Sequence, residues 1–349
     1  MFNQTIRSAN LGVLLAMLIA AVLNAGLYAR STMAAELKLE LVPKSLDLTG
    51  LGSRSRILVE KTAGTQRVGQ VTSGIEWSTD DSRIATFSDG EVTAAGSGMT
   101  TVRATVDGKQ LTAKVTIQKA DKPLPVSFRN HVLAVFAKTG CNSGACHGAL
   151  AGKGGFRLSL RGYDPATDYQ TIVTQARGRR IELADPGRSL ILAKPSGALP
   201  HKGGLRFETD SREYQAIADW IVGGALPPSD DDPIVERVEI LPHAVQLSVG
   251  DKQDFIVRAH YSNGRVEDVT RWVKFSSSNE AVASVDQDGR VSVIGPGVGA
   301  VTAWFASQTV TSRITCAFPN DIQDDVYSSQ SRRNFIDEMV IAKLAELRL

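Results

Sequence analysis

The chain has 349 residues, 42% of them hydrophobic and 22% charged, which is enough for roughly two to four globular domains with real cores. Its 39 basic and 37 acidic side chains nearly cancel, so the composition argues against a nucleic-acid partner. Three cysteines are too few for a disulfide-stapled scaffold, whereas 31 glycines and only 6% aromatic residues favour β-rich modules with tight turns.

The N-terminus predicts export. Arg7 precedes an apolar run over residues 11–28, and the small residues Ala34 and Ala35 follow. This order is typical of a secretory signal, so we expect residues 1–35 to form a signal helix that is cleaved near its end. The alternative is an uncleaved membrane anchor through residues 11–28, because the run is nearly long enough to span a bilayer. Both interpretations place the rest of the chain in the periplasm or at the cell surface.

Residues 36–119 have the pattern of a β-sandwich. Alternating or apolar runs predict strands at 39–42, 56–59, 101–106 and 110–117. Asp107-Gly108 separates the last two runs, and this dipeptide is a strong signal for a β-hairpin. Short strands that recur every 8–12 residues or so favour a sandwich over an open sheet.

The same pattern returns after residue 234. Residues 77–98 and 275–297 share an aromatic start, an apolar trio around an alanine, an Asp-Gly turn and a Gly-x-Gly bend. The chain therefore contains an internal repeat. The later copy, with its run S-S-N-x-x-V-A-x-V-x-x-x-G-x-V, resembles the bacterial Ig-like group 2 (BIG2) module. That resemblance implies all-β Ig-like sandwiches at 36–119 and 234–318, which elsewhere act as spacers or as adhesion and carbohydrate-associated modules.

The segment between the copies, residues 124–228, is predicted to be mainly helical. Apolar spacing favours helices at 127–147, 167–174 and 189–193 and from Ser211 onward. The motif Cys141-x4-Cys146-His147 lies at the end of the first of these helices. It is a rarer spacing of the c-type haem attachment motif, in which two thiols form thioethers and the adjacent histidine binds the iron. A local disulfide, a zinc half-site and two unrelated thiols are the alternatives.

The second axial ligand is predicted to be a histidine. No methionine lies between Cys146 and the end of the segment, but His201 does, between prolines and glycines. We therefore expect one covalent haem c with His147 as proximal and His201 as candidate distal iron ligand; an ordinary loop histidine is the alternative. His131 is a weaker candidate for ligation. A basic cluster is expected either to pair with the haem propionates or to be a solvated face, and it comprises Arg177, Arg179, Arg180 and Arg188.

The segment plan resembles a cytochrome c domain, and several runs resemble a more specific family. V-F-A-K-T-G-C-N-S-G-A-C-H-G, G-F-R-L-S-L-R-G-Y-D-P, K-P-S-G-A-L-P-H-K-G-G and W-I-V-G-G-A are similar to the cytochrome region of a planctomycete-type multidomain surface protein family. Residues 319–349, a linker and a C-terminal helix, resemble the start of that family's next domain, of unknown function. The resemblance implies a truncated or split member, with an apolar helix face (Ile336, Val340, Leu344 and Leu347) that lacks its partner; a helix packed on the second sandwich is the alternative.

These observations predict an exported electron carrier or redox sensor and not an enzyme, because an iron with six ligands has no open position for a substrate. Its partners would be an unidentified redox protein and a polysaccharide or cell-envelope component, without nucleic acid. The alternative functions are a non-catalytic surface adhesion or carbohydrate-binding protein, and the accessory part of a polymer-degrading assembly. Cys316, in the last strand of the second sandwich, is predicted to be a buried free thiol.

Overall fold

Two β-sandwiches flank a helical segment in a computed structural model that describes residues 36–349. The predicted signal helix lies outside the described residues. Within residues 36–349, no helix is both long and apolar enough to cross a membrane. Residues 38–349 form one unit, in which the second sandwich contacts both the helical segment and the first sandwich.

The first sandwich has ten strands in three sheets, of order β1-β4-β5, β2-β10-β9-β6 and β3-β8-β7. Their bounds are β1 (Leu37–Val42), β2 (Ser45–Thr49), β3 (Arg54–Arg56), β4 (Leu58–Ala63), β5 (Gln66–Val71), β6 (Ile75–Thr79), β7 (Ala85–Ser88), β8 (Glu91–Ala94), β9 (Gly98–Val106) and β10 (Lys109–Gln118). The single strand predicted at 56–59 is the junction of two strands, because the chain leaves β3 at Arg56, buries Ile57 and starts β4 at Leu58.

The second sandwich repeats this arrangement, with sheets of order β11-β14-β15, β12-β20-β19-β16 and β13-β18-β17. Its strands are β11 (Val235–Leu241), β12 (Ala244–Leu247), β13 (Lys252–Asp254), β14 (Ile256–Tyr261), β15 (Val266–Asp268), β16 (Lys274–Ser277), β17 (Ala283–Val285), β18 (Arg290–Val293), β19 (Gly297–Phe305) and β20 (Gln308–Cys316). The parallel pairing of β12 with β20 matches that of β2 with β10. The identical strand order confirms the internal repeat.

Alternation along the long hairpins supplies the two cores. Val102, Ala104 and Val106 of β9 are buried while the residues between them are not, which is the period-2 pattern of a strand with one face on the core. The bend before β9 requires glycine, because a Cβ at Gly96 would lie 2.5 Å from the carbonyl oxygen of Arg83. Gly295 has the same close approach to the oxygen of Ala281, at 2.8 Å, so the repeat conserves the bend as well as the strands.

The segment between the sandwiches contains short helices joined by turns. A π-helical turn, Phe128–Val132, leads into α1 (Leu133–Lys138); then follow α2 (Pro165–Tyr169), extended by a π-helical turn to Thr174, α3 (Leu190–Ala193) and α4 (Arg212–Val222). The expectation that the first helix continues to His147 is wrong. Gly140 has φ +77°, and the Cys141 N–H donates to the Phe136 carbonyl at 2.8 Å, so a Schellman motif ends the helix before the two cysteines.

Aromatic packing holds the ends of this segment together. The ring of Phe128 lies 5.1 Å from that of Trp220 on α4 and 5.5 Å from that of Tyr169. Trp220 also lies 6.3 Å from the Tyr169 ring, whereas the ring of Tyr214, on the same helix, packs against Phe207 at 6.4 Å.

The C-terminal residues form α5 (Asp324–Ser328) and α6 (Phe335–Leu347). Helix α6 contacts the second sandwich at β20: the Phe318 N–H donates to the Leu347 carbonyl at 2.9 Å, and Lys343 Nζ lies 3.3 Å from Thr315 Oγ1. Leu347 is buried, whereas Ile336 and Val340 are exposed. The expectation of one apolar face without any partner is therefore wrong for Leu347, because its end of the helix packs on the sandwich.

Candidate functional site: the cysteine–histidine loop

The loop that contains the two cysteines is held by its own backbone. The His147 N–H donates to the Cys141 carbonyl and the Cys146 N–H to the Ser143 carbonyl, both at 2.9 Å. Gly148 is required here, since a Cβ at that position would lie 2.1 Å from the Asn142 carbonyl oxygen. The consequence is a compact turn over residues 141–148.

The two thiols have different surroundings. Cys141 is buried and its Sγ lies 3.3 Å from Thr139 Oγ1; burial raises the pKa of this thiol above its ordinary value. Cys146 is half-buried, and Arg206 Nη2 donates to its Sγ at 3.4 Å. Both are free thiols, as is Cys316, which is buried at the end of β20 as predicted. The disulfide alternative therefore has no support from the structure.

His147 is fixed by its neighbour in the following hairpin. Its Nδ1 lies 2.9 Å from the Phe156 carbonyl oxygen, and its ring is 4.5 Å from the Phe156 ring. Since a carbonyl only accepts, Nδ1 carries the proton and Nε2 keeps a free lone pair. Burial lowers the pKa of His147 below its ordinary value, and the nearby His201, Arg180 and Arg206 add to this effect, so the imidazole is neutral at neutral pH.

The structure brings His201 next to His147. The two rings are parallel within 4° and their centroids are 6.3 Å apart. His201 Nδ1 lies 3.0 Å from the Gly204 carbonyl oxygen, so this imidazole too keeps Nε2 as a lone-pair donor. A side chain at Gly203 would meet the ring, with its Cβ 2.7 Å from His201 Cε1, which explains the glycine after Lys202.

The separation of the rings is within the reach of one shared ion. A metal–imidazole bond is about 2.0 Å long, so two imidazoles that bind the same ion have ring centres at most about 6 Å apart. Histidine ligands characteristically donate their other ring N–H to a backbone carbonyl, as both do here. The donor set of His147 and His201, with two free thiols beside it, therefore fits a covalently held haem.

Other groups proposed for this site lie elsewhere. His131 Nδ1 accepts from the Ser127 N–H at 2.9 Å, and its Nε2 lies 3.8 Å from Glu267 Oε1 at the second sandwich, so His131 is not beside the pair. Arg180 is buried: its guanidinium donates to the carbonyls of Thr171, Gln175 and Gly155 and stacks on Phe156. The expected cluster is therefore not one group, because Arg180 braces the loop from inside while its three partners are exposed.

Sequence reasoning missed Arg206. Besides its contact with Cys146, its Nη1 donates to the Thr139 carbonyl at 3.5 Å, which links the histidine-bearing loop to the end of α1. The one sequence signal for Arg206 is that it follows His201 by five residues. Such a spacing does not predict a contact with Cys146. Among residues 36–349 no group of three or more His, Cys, Asp or Glu side chains is arranged to hold a metal ion, so the zinc alternative gains no support.

Comparison with known proteins identifies one region of the chain. Residues 234–317 match the model of the bacterial Ig-like domain (group 2) family. The protein is thus a multidomain chain that contains a bacterial Ig-like domain. The match lies wholly outside the segment with Cys141 and His147, and it gives no support for haem. No curated protein matches the chain.

Solved structures share only a loose likeness. The S-layer protein SbsC, domains 5-6, is 10% identical with a TM-score of 0.30, covering 81% of this chain and 100% of that one. SbsC domains 4 and 5 are 9% identical with a TM-score of 0.21, covering 74% and 89%. An EHEC O157:H7 intimin mutant is 17% identical with a TM-score of 0.15, covering 23% and 45%. At these values the likeness carries no argument about function.

Proposed function

We propose that the chain is an exported surface protein whose two Ig-like sandwiches hold a segment with one covalently attached haem. Cys141 and Cys146 would form the thioethers, and His147 and His201 would bind the iron. The bound group would supply reversible one-electron chemistry, for electron transfer or redox sensing. The observation that carries the proposal is the parallel pair of imidazoles 6.3 Å apart, each with Nδ1 on a backbone carbonyl.

The chain's own residues have three tasks in this proposal. The Phe156 and Gly204 carbonyls hold both imidazoles in the tautomer that leaves Nε2 free. Burial keeps His147 neutral. Arg206 and Thr139 hold the two sulfur atoms on the same loop. Because two histidines replace the histidine–methionine pair, the potential should be lower than that of methionine-ligated cytochromes.

A haemochrome assay tests this proposal. Protein expressed with a c-type maturation system should retain haem after denaturation, at one haem per chain. Cys141→Ala combined with Cys146→Ala should lose it. His201→Ala should change a low-spin spectrum to high-spin, whereas the control His131→Ala, at a position bonded to Ser127 and Glu267, should not. Absence of covalent haem, or an unchanged spectrum in His201→Ala, would contradict the proposal.

The match at residues 234–317 favours a second candidate, a non-catalytic surface protein that binds a polysaccharide or other envelope component through its Ig-like sandwiches. The haem-free double cysteine variant separates the two candidates. A polysaccharide pull-down that succeeds equally with this variant and with the unaltered protein supports binding by the sandwiches. Failure across a broad set of glycans would count against the second candidate.

A further inference from the structure

A cavity of about 310 Å³ lies where the two sandwiches and the helical segment meet. Each of the three regions contributes an arginine to its wall: Arg54 from β3, Arg212 from the first turn of α4, and Arg271 from the 3-10 turn before β16. Trp272 provides an aromatic side. The volume is within the range of small-ligand sites, which start at about 300 Å³.

The arginines at this junction outnumber their carboxylate partners. Glu91 lies 3.6 Å from Arg54, 3.9 Å from Arg56 and 3.5 Å from Arg271, and its side chain is only 13% exposed. Within residues 36–349, none of these three arginines has a second carboxylate within 4.0 Å, and Arg212 has none at all. Three guanidinium groups therefore share Glu91, and that of Arg212 has no ion-pair partner among the described residues.

Three more carboxylates belong to the wall and keep their negative charge, each beside a partner of its own. Asp219 accepts from Gln215 Nε2 at 2.6 Å, and Glu267 lies 3.3 Å from Arg265. Asp268 accepts from the Thr270 N–H at 3.0 Å and from the Arg56 N–H at 2.7 Å. Burial lowers the pKa of Arg271, and the neighbouring Arg212 and Arg54 lower it further, against the attraction of Glu91 and Asp268.

We propose that this junction cavity binds an oxyanion, namely a sulfate, phosphate or carboxylate group, between Arg54, Arg212 and Arg271. Guanidinium groups present planar pairs of N–H donors that match the oxygens of such groups. The anion would give Arg212 a charged partner and join all three regions of the chain. This site is separate from the histidine pair and does not depend on haem.

Titration calorimetry with sodium sulfate, at constant ionic strength adjusted with sodium chloride, tests the site. The expected result is saturable binding of one sulfate per chain. Arg212→Gln should weaken it about tenfold, the effect of one charge-assisted hydrogen bond. Arg212 is exposed and has no carboxylate within 4.0 Å in the described part of the chain, so this variant should fold normally. A sulfated disaccharide is the second probe: tighter binding than free sulfate would assign the group to a polymer, and weaker binding to a free ion.

Arg83→Gln is the matched control. Arg83 is on the first sandwich, outside the cavity, and its side chain is 88% exposed and paired with Asp81 at 2.7 Å. Sulfate affinity should be the same in this variant as in the unaltered protein. The proposal is overturned if no saturable binding occurs, or if Arg212→Gln and Arg83→Gln bind sulfate with equal affinity, which would indicate a general salt effect.

Discussion

The two sandwiches have the same strand order, but they fill their cores with different side chains. In the first, Trp77 stacks on Phe87 with ring centroids 4.2 Å apart, and the residue between β3 and β4 is Ile57. In the second, the residue between β13 and β14 is Phe255, fully buried. Ile57 and Phe255 are equivalent, because their N–H groups donate to the carbonyls of Gly90 and Gly289 in the two Asp-Gly turns. The two sandwiches thus have the same topology but place their large aromatic side chains at different positions of the core.

The polar positions have diverged as well. Glu60 of β4 is fully buried against the second sandwich, where Gln253 Nε2 donates to its Oε1 at 2.7 Å. At the corresponding place in β14, Arg258 Nε donates to Glu239 Oε1 at 2.7 Å. Although burial raises it, the pKa of Glu239 is lowered to about 2 by its bonds to His260 and Arg258. The second sandwich thus has an ion pair within itself, between Glu239 and Arg258. The first places a carboxyl group, that of Glu60, between the two sandwiches.

The largest expected effect concerns the aromatic residue in the second core. Phe255→Ala should lower the free energy of unfolding by about 4 kcal/mol, and Ile57→Val at the equivalent position by about 1 kcal/mol. Chemical unfolding followed by tryptophan fluorescence measures both. Val298→Ala, at a position 36% exposed, is the control and should have little effect. A Phe255→Ala protein as stable as the control would mean that the cores do not differ in this way.

The next effect is the pH dependence of the acid between the sandwiches. Burial raises the pKa of Glu60 to about 7, against attraction by Arg67 and with repulsion from Glu40 and Asp254. A folded state that holds its proton more tightly loses stability as pH rises from the unfolded pKa to the folded one. Between about pH 4.5 and 7 the loss should be about 3 kcal/mol.

Glu60→Gln should abolish that part of the slope and be the more stable protein at pH 8. Glu76→Gln is the control, an exposed glutamate of the same sandwich. The measurement is the free energy of unfolding across pH 4 to 8, compared between the two variants. Parallel curves would show that Glu60 ionises without cost and that the contact with Gln253 is not sensitive to pH.

Equivalent turn glycines give a smaller contrast. Gly90 and Gly289 have φ +78° and +81°, so alanine should be strained at both, by about 1–2 kcal/mol. At Gly289 the new Cβ would meet a side chain, 2.8 Å from Phe275 Cζ, whereas at Gly90 no atom of residues 36–349 lies within 4 Å. Gly289→Ala should therefore cost about 1–2 kcal/mol more than Gly90→Ala. Equal losses, by thermal unfolding, would show that the Phe275 ring moves aside freely.

The sequence predicted those features of the fold that depend on residues close together in the chain. The repeat, the Asp107-Gly108 hairpin, α4 and the burial of Cys316 follow from periodicity and turn chemistry. The end of α1 was missed because Gly140 acts through a carbonyl five residues before Cys141. Contacts between distant residues leave no local trace: Gln253 and Glu60 are 193 positions apart. For the same reason the sequence suggested His147 and His201 as candidate ligands but did not predict that the Phe156 and Gly204 carbonyls orient them.

The smallest expected effect on stability comes from a difference between the turns of the β9–β10 and β19–β20 hairpins. Asp107-Gly108 and Ala306-Ser307 occupy equivalent two-residue turns, all four with positive φ; Ser307, at φ 66°, replaces the glycine that such turns favour. Ser307 Oγ donates to the Arg161 carbonyl at 3.4 Å, and Arg161 stacks on Trp304 at 3.7 Å, so this tip contacts the helical segment. Ser307→Gly should stabilise the protein by about 0.5 kcal/mol, because relief of the left-handed backbone exceeds the entropy cost of glycine.

Ser307→Ala distinguishes the two contributions, since it removes the hydroxyl and keeps the Cβ. Its stability should fall slightly below that of the unaltered protein, by the small amount that a long, exposed hydrogen bond contributes. If Ser307→Gly and Ser307→Ala have the same melting temperature, the turn is not strained and the serine is there for its bond to Arg161. In that case the second sandwich would differ from the first by its contact with the helical segment and not by its turn geometry.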